Sequence, residues 1–318
     1  MDTAIRKANR RRVPPQEDEK RRRLRHITER IIGLPTLPTV VTEIISLVDN
    51  PRSSADDLAR VISTDQALTA KMLKIANSAL YGFPRRISTV ALAVVVLGFE
   101  TIKNLCLGVS VLEKFAWEGE DGLFDRQKFW EHAVGCGVAG RILAKKVKYR
   151  LAGEVFVAGI LHDIGKLILS QYFGDEFAAA LVLAQEENLY ISEAEERVLG
   201  VTHAEVGGWL AERWNLPRQL VEVIAFHHDP TAARKKAELT ALIHMANALC
   251  RNEGIGNSGD EQGPSLDLRA PMLFWNVKDA QEAESRLFRL GLELHDEVGK
   301  AETLISIAKG QEIEEEDV

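Results

Sequence analysis

Apolar residues recur along this chain three and four positions apart, the spacing of helices that bury one face. Leu24, Ile27 and Ile31 form one such stripe, which Gly33 and Pro35 end. Val40, Val41, Ile44, Ile45 and Val48 mark a second helix that stops at Asn50-Pro51. Ser53 or Ser54 is placed to cap a short helix through Leu58, Val61 and Ile62. Leu68, Met72, Ile75, Ala76 and Ala79 stripe another. Ser88 is placed to cap an apolar segment closing at Leu97-Gly98, and a further helix is predicted from about 100 to 115. Gly119 to Asp125, glycine- and acid-rich, reads as a loop and a domain boundary. Beyond it, helices are predicted over about 126–147, 152–173, 175–188, 192–200, 203–214, 217–228 and 236–252. Residues 253–268, rich in glycine, serine and acids, read as a flexible excursion. Val277 to Lys309 reads as one helix with Leu287, Leu290, Leu294 and Val298 in register, and Glu312 to Val318 as an acidic tail that frays. Sustained period-two alternation is absent, so the pattern predicts an all-α protein. It divides into a tail over 1–25, an N-terminal helical subdomain over 26–118, a second helical unit over 125–252 and a loop with a C-terminal helix over 253–318.

Composition narrows the function classes. With 40 basic and 47 acidic residues in 318, the net charge is −7. A DNA-binding protein needs a basic excess to neutralise phosphates, so DNA is not predicted as a partner. The exception is residues 1–25, where Arg10, Arg11, Arg12 and Arg21, Arg22, Arg23 flank Pro14-Pro15. That stretch holds too little apolar surface to offset chain entropy and is expected to be a mobile basic tail. The longest apolar run, Val90 to Phe99, is half of the ~20 residues a membrane-spanning helix needs. Neither a membrane span nor a secretory signal is predicted. Cys106, Cys136 and Cys250 are far apart and form no CxxC pair. They read as small core residues in a reducing, cytoplasmic protein.

The candidate chemistry lies in the stretch 152–173. Within it the run Val155 to Leu169 is apolar nearly all round except for His162, Asp163 and Lys166, which marks a helix buried in a bundle. A buried ionised aspartate costs several kcal/mol unless it is paired or bound to a cation. On a helix His162 and Asp163 point about 100° apart, yet both can reach one ion. Imidazole with carboxylate suits Fe, Mn, Zn or Ni. Lys166 is placed either to pair with Asp163 or to meet a substrate phosphate. Further imidazoles follow at His132, His203 and the doublet His227-His228. His26 and His295 lie in polar helices and read as surface residues.

His132, His162-Asp163, His203 and His227-His228, in this order, resemble the metal motifs of the HD superfamily of metal-dependent phosphohydrolases. Other stretches resemble its HDOD branch: Leu34-Pro35-Thr36-Leu37-Pro38, Asp65 through Ala76-Asn77-Ser78, Leu97-Gly98, Glu196 through Gly200 to His203, and Trp214-Asn215-Leu216-Pro217. The likeness covers about residues 28–250. It implies an N-terminal helical bundle packed on an HD-like core, and a bacterial signalling role without assured catalysis. Relatives are often fused to receiver or cyclic-dinucleotide domains, and no such fusion is expected within these 318 residues.

By the same resemblance, His132, His162 and Asp163 match the first ligands of the HD site, and His203, His227 and His228 the extra imidazoles of its multinuclear forms. Asn247 stands where the family's last ligand is an aspartate, and as a neutral amide it should bind a cation less tightly. His244, one turn earlier, either compensates or braces the core. Lys128 stands where multinuclear relatives carry a carboxylate, and a cation there is expected to repel a second metal. After the doublet the chain reads Asp229-Pro230-Thr231 instead of Gly-Tyr-Pro, which argues against cyclic-di-GMP cleavage.

Two functions follow. One is a non-catalytic module that binds a signalling protein and holds a divalent transition metal or none. The other is a metal-dependent hydrolase of a phosphoester or nucleotide, with Asp163 and Lys166 as catalytic residues and a metal activating water.

Overall fold

The computed structural model describes residues 25–31, 36–48, 53–115, 123–259 and 266–310. The arginine-rich segment up to residue 24, part of the proline-rich turn, most of the boundary loop and the acidic tail lie outside the described residues. Among the described residues there is no strand, and the protein is all-α.

An N-terminal bundle comprises α1 (Thr39–Val48), α2 (Ala55–Ile62), α3 (Gln66–Ala76), α4 (Val90–Leu97) and α5 (Phe99–Lys114). Polar caps set where these helices begin. Ser54 and Asp57 form a reciprocal capping box on α2, and Asp65 caps α3. Thr89 caps α4 through the Leu92 amide at 3.1 Å, so the cap falls one residue after the expected Ser88. Each such cap contributes about 1 kcal/mol. Gly98, at φ +90°, turns the chain by 118° between α4 and α5, a backbone conformation that glycine adopts without penalty.

The second unit holds α6 (Arg126–Lys146), α7 (Ala152–Leu161), α8 (Ile164–Tyr172), α9 (Gly174–Glu187), α10 (Ile191–Val198), α11 (His203–Arg213), α12 (Arg218–Phe226) and α13 (Ala237–Asn252). The helix expected over 152–173 is not continuous. It breaks at His162-Asp163, where Asp163 adopts φ −99°, ψ 11° and its carbonyl accepts the Lys166 amide at 2.9 Å. Gly165 lies just past the break and lets α8 press its backbone on α11: a Cβ there would overlap the His203 carbonyl and sit 2.8 Å from the Gly207 nitrogen. A similar contact joins α6 to α7, since a Cβ on Gly159 would lie 2.5 Å from the Gly137 nitrogen. Together these approaches draw α6, the α7–α8 break and α11 to one point.

The C-terminal stretch also departs from expectation. Instead of one helix from Val277 to Lys309, it forms α15 (Ala280–Phe288), α16 (Gly291–Gly299) and α17 (Glu302–Ala308), after a short α14 (Arg269–Met272). Gly291 and Gly299, weak helix formers, stand at the two ends of α16. The breaks let Leu287, Leu294 and Leu304 each turn inward from a separate short helix. Residues 253–259, expected to be flexible, are partly packed: Ile255 and Ser258 are buried, and the Asn257 amide donates to the Lys128 carbonyl at 2.9 Å.

One apolar core runs from Ile27 to Ala308 through both units. Fully buried side chains such as Leu58, Ile62, Met72 and Phe156 each contribute about 1.5–3 kcal/mol. Helix α5 packs on α7, and α17 folds back on α3, α5 and α6. Arg141, buried on α6, donates to the Leu80 carbonyl at 3.1 Å and to Glu297 at 3.0 Å, tying the N-terminal bundle and the C-terminal helices to the core. Among the described residues, no single helix is long and apolar enough to cross a membrane.

Candidate metal centre

Four helix ends meet around Asp163. Its Oδ1 lies 3.2 Å from His203 Nε2 and 3.3 Å from His227 Nε2, and its Oδ2 lies 3.3 Å from His162 Nε2. The His203 and His228 Nε2 atoms are 2.9 Å apart, and those of His203 and His227 3.4 Å. All of these side chains are buried except His228, which is half-buried and forms the edge toward solvent. Their positions follow from the fold. His162 and Asp163 occupy the α7–α8 break, His203 opens α11, and His227-His228 follow α12. Thr202 caps α11 with Glu205 in a capping box and so fixes the first turn that carries His203.

The far nitrogen of each central ring is anchored. His203 Nδ1 donates to Glu195 Oε2 at 2.7 Å, and the same oxygen accepts the His203 backbone amide at 2.8 Å. His162 Nδ1 donates to the Gly159 carbonyl at 2.7 Å and His227 Nδ1 to the Ile224 carbonyl at 2.9 Å. Anchors of this kind fix the tautomer and aim the other nitrogen inward. The consequence is electrostatic. With Nδ1–H directed outward, a neutral ring holds a lone pair on Nε2. Lone pairs on His203 and His227 then face each other and Asp163 at 3.2–3.4 Å, with His228 Nε2 2.9 Å from His203 Nε2. Such an array is stable only with a proton or a cation among its members.

The titration behaviour of the group reflects this. Burial disfavours a charged His203, but the Glu195 carboxylate and Asp163 outweigh it and raise the ring to about 9. Burial depresses His227 to about 4 and pushes His228 well below the usual histidine range. Burial also opposes ionisation of Asp163, yet His162 and Lys166 hold its carboxyl well below the ordinary value.

A divalent transition metal fits this donor set. His162 Nε2 and Asp163 Oδ1 are buried polar atoms without a hydrogen-bond partner, both aimed into the cluster. One ligand atom from each of Asp163, His203, His227 and His228 lies within 4.8 Å of the others. Several imidazoles with one carboxylate form a set that favours Fe, Mn, Zn or Ni over Ca or Mg.

His132 and Asn247 lie to one side of the centre. His132 approaches His162 with ring centroids 5.7 Å apart. Its Nδ1 meets the Ile255 carbonyl at 3.2 Å, and its Nε2 lies 3.1 Å from Asn247 Oδ1 and 3.4 Å from Cys136 Sγ. Lys166 reaches Asp163 Oδ2 at 2.8 Å and Ser258 Oγ at 3.1 Å, fully buried, so the pairing with Asp163 is the one realised. His244 does not face the cluster. It donates to the His227 carbonyl at 2.8 Å and accepts the Asp267 amide at 2.9 Å, bracing the doublet from behind. Lys128 corrects an expectation: its side chain is 61% exposed and turns to Asp125 at 3.8 Å. Asp125, the α6 cap one turn earlier, draws it outward, so the expected repulsion of a second metal has no basis in this geometry.

Glu195, Ser258 and Cys136 take part without having been singled out as site residues. Glu195 carried a signal, since it lies on the stripe of Ile191 and Ala194, both buried. An acid on the apolar face of a helix needs a buried partner.

The model of the HDOD domain family matches residues 34–230. An uncharacterised protein of Treponema pallidum (strain Nichols) is 28% identical over 258 residues, covering 80% of this chain and 48% of that protein. The chain therefore spans about half the length of the curated relative it matches. The crystal structure of an HDOD domain protein of unknown function from Geobacter sulfurreducens superposes with a TM-score of 0.69 at 27% identity, covering 92% of this chain and 97% of that one. A candidate phosphohydrolase from Shewanella amazonensis SB2B gives a TM-score of 0.62 at 26% identity, covering 87% of this chain and 97% of that one. The family match runs from the proline-rich turn through the His227-His228 doublet, well over half of the sequence, and on that ground the chain belongs to the HDOD domain family.

Proposed function

We propose that this protein is a non-catalytic HDOD signalling module that binds a protein partner and holds a divalent transition metal on Asp163, His162, His203, His227 and His228. Family membership supports the signalling part of the reading. The observation that carries the non-catalytic part is the seclusion of the cluster. Asp163, His162, His203, His227 and Lys166 each have 0% exposure, and residues 255–258 lie over His132 and Lys166. A phosphoester would have to displace this packing to reach Asp163, whose Oδ2 is already in contact with the Lys166 ammonium.

A bound divalent ion would neutralise Asp163 and cross-link the α7–α8 break to α11 and the α12 end. Glu195 keeps His203 aimed at that point, Gly159 and Ile224 orient His162 and His227, and His244 steadies the doublet. The three cysteines are free and buried, which supports a reducing, cytoplasmic setting.

A second reading, a metal-dependent phosphohydrolase acting on a phosphoester or nucleotide, draws on His228 at the open edge and on the candidate phosphohydrolase from Shewanella. Elemental analysis of freshly purified protein and of His162→Ala tests the first reading. Transition metal is expected in the parent and reduced in the variant, with no turnover of generic phosphodiesters when Mn2+ or Fe2+ is added. Metal-free parent protein would overturn the metal assignment. Turnover abolished by Asp163→Ala would favour the hydrolase instead.

A further inference from the structure

Helix α4 is apolar on every side. From Ile87 to Phe99 the chain carries no charged residue. A helix of that composition is expected to be covered all round, yet α4 is covered on one side alone. Val90, Ala93 and Val94 are buried and pack it on α2, α3 and α5. Leu92, Val95 and Val96 are exposed by 39%, 74% and 41%. They stand at i, i+3 and i+4, so they form one continuous stripe on the outer face. We propose that this stripe is the seam of a two-fold dimer, in which α4 of one copy lies antiparallel on α4 of a second. The inference is independent of the metal centre and adds a self-association surface to the protein.

The distribution of charge selects a second copy as the occupant. The stripe itself offers no charge by which to recognise a foreign partner, and charge stands only at its two flanks. Arg85 and Arg86, both exposed, precede α4, and Glu100, also exposed, follows it. Glu100 is held in place by the Lys103 ammonium one turn along α5. An antiparallel copy brings the arginine flank of one chain to the Glu100 flank of the other, and two-fold symmetry makes that pairing twice. It also sets the positive end of each α4 against the negative end of its mate. A parallel copy would place arginine against arginine. Leu92 and Val95 lie equally far from the middle of α4, so in the antiparallel pair Leu92 of each copy meets Val95 of the other, and the two Val95 side chains lie close to the axis. The same patch is thus complementary to itself, as a two-fold interface requires.

Three apolar side chains and their flanks make an interface below the about 1,200–2,000 Å² of stable complexes. The expected state is therefore a monomer–dimer equilibrium that shifts with concentration.

Sedimentation equilibrium of the full-length parent over a rising concentration series reads that equilibrium. Dimer is expected to accumulate. Val95→Glu, at an exposed position that spares the core, should raise the dissociation constant about 100-fold, because symmetry brings the new charge into the seam twice. Replacing Arg85 and Arg86 together by Glu should weaken the dimer about 10-fold and remove most of its salt dependence. Trapping supplies a second measurement. Cys106, Cys136 and Cys250 are buried, so Val95→Cys under a copper oxidant in air should cross-link into dimers faster than Leu123→Cys, whose parent residue is comparably exposed at 68% ahead of α6. A parent that stays monomeric throughout the series, or equal cross-linking at the two positions, would overturn the proposal. A dimer undisturbed by Val95→Glu would overturn the assignment of the seam to α4. A monomeric parent that co-sediments with phosphatidylcholine vesicles would give the stripe to lipid instead.

Discussion

Glu195→Gln separates charge from geometry at the centre. One carboxylate oxygen, Oε2, takes both bonds from His203, at 2.7 Å from the ring and 2.8 Å from the backbone. The other, Oε1, is buried without a partner. Glutamine can therefore place its carbonyl oxygen where Oε2 sits and keep both bonds, while the negative charge is lost. Removal of a ligand-orienting partner of this type lowers metal affinity about 10–100-fold, which is about 1.4–2.7 kcal/mol. The ring of His203 also becomes a weaker base once the Glu195 charge no longer supports it. The assay is a Zn2+ or Mn2+ titration against a chelator of known affinity, with circular dichroism to establish that the variant is folded. Glu195→Ala should do more, because two buried donors lose their acceptor at about 1–3 kcal/mol each, so affinity and melting temperature fall together. Folded Glu195→Gln that binds metal as tightly as the parent would refute the claim that this carboxylate tunes the site.

Three other perturbations address the neighbouring residues. Gly165→Ala places a Cβ inside the His203 carbonyl, against backbone that cannot swing away, and should destabilise by about 3 kcal/mol or prevent folding; an unchanged thermal melt would contradict the close approach of α8 to α11. Lys166→Met leaves the buried Asp163 without its ammonium partner, a loss of about 3–5 kcal/mol in the metal-free protein. Added metal should recover most of it, so the difference in melting temperature between metal-loaded and chelated samples should widen. Asn247→Asp puts a buried carboxylate 3.1 Å from His132 Nε2. Metal affinity should rise and the metal-free form should lose stability, both readable from the same melts, and a variant as stable without metal as the parent would count against metal binding on this side.

The helices were legible because each needs only an apolar stripe and a cap, both local properties of the chain. The order His132, His162-Asp163, His203, His227-His228 was legible for a related reason: polar side chains standing in apolar surroundings must find partners. The helix break at His162-Asp163 was not, because the surrounding residues are as apolar as those of an unbroken buried helix. Only Gly165 marks the place, through a contact with α11 that no local pattern contains. The anchors at Gly159, Ile224 and Ile255 are backbone carbonyls, which have no side-chain signature at all.

The distances in the centre are thus set largely by residues with no chemistry of their own. Gly137 meets Gly159, and Gly165 meets the first turn of α11, at separations that any side chain would enlarge. Because His162 and Asp163 lie between these two contacts, a shift of either helix by the width of a methyl group would separate Asp163 from His203 or His162 from His132. Asp163 Oδ1 and His203 Nε2, now 3.2 Å apart, could then no longer share an ion. The metal reading therefore makes a demand on the scaffold as well as on the ligands. An HDOD chain with every histidine retained but a bulky residue at Gly159 or Gly165 should fold, if it folds, without a metal centre.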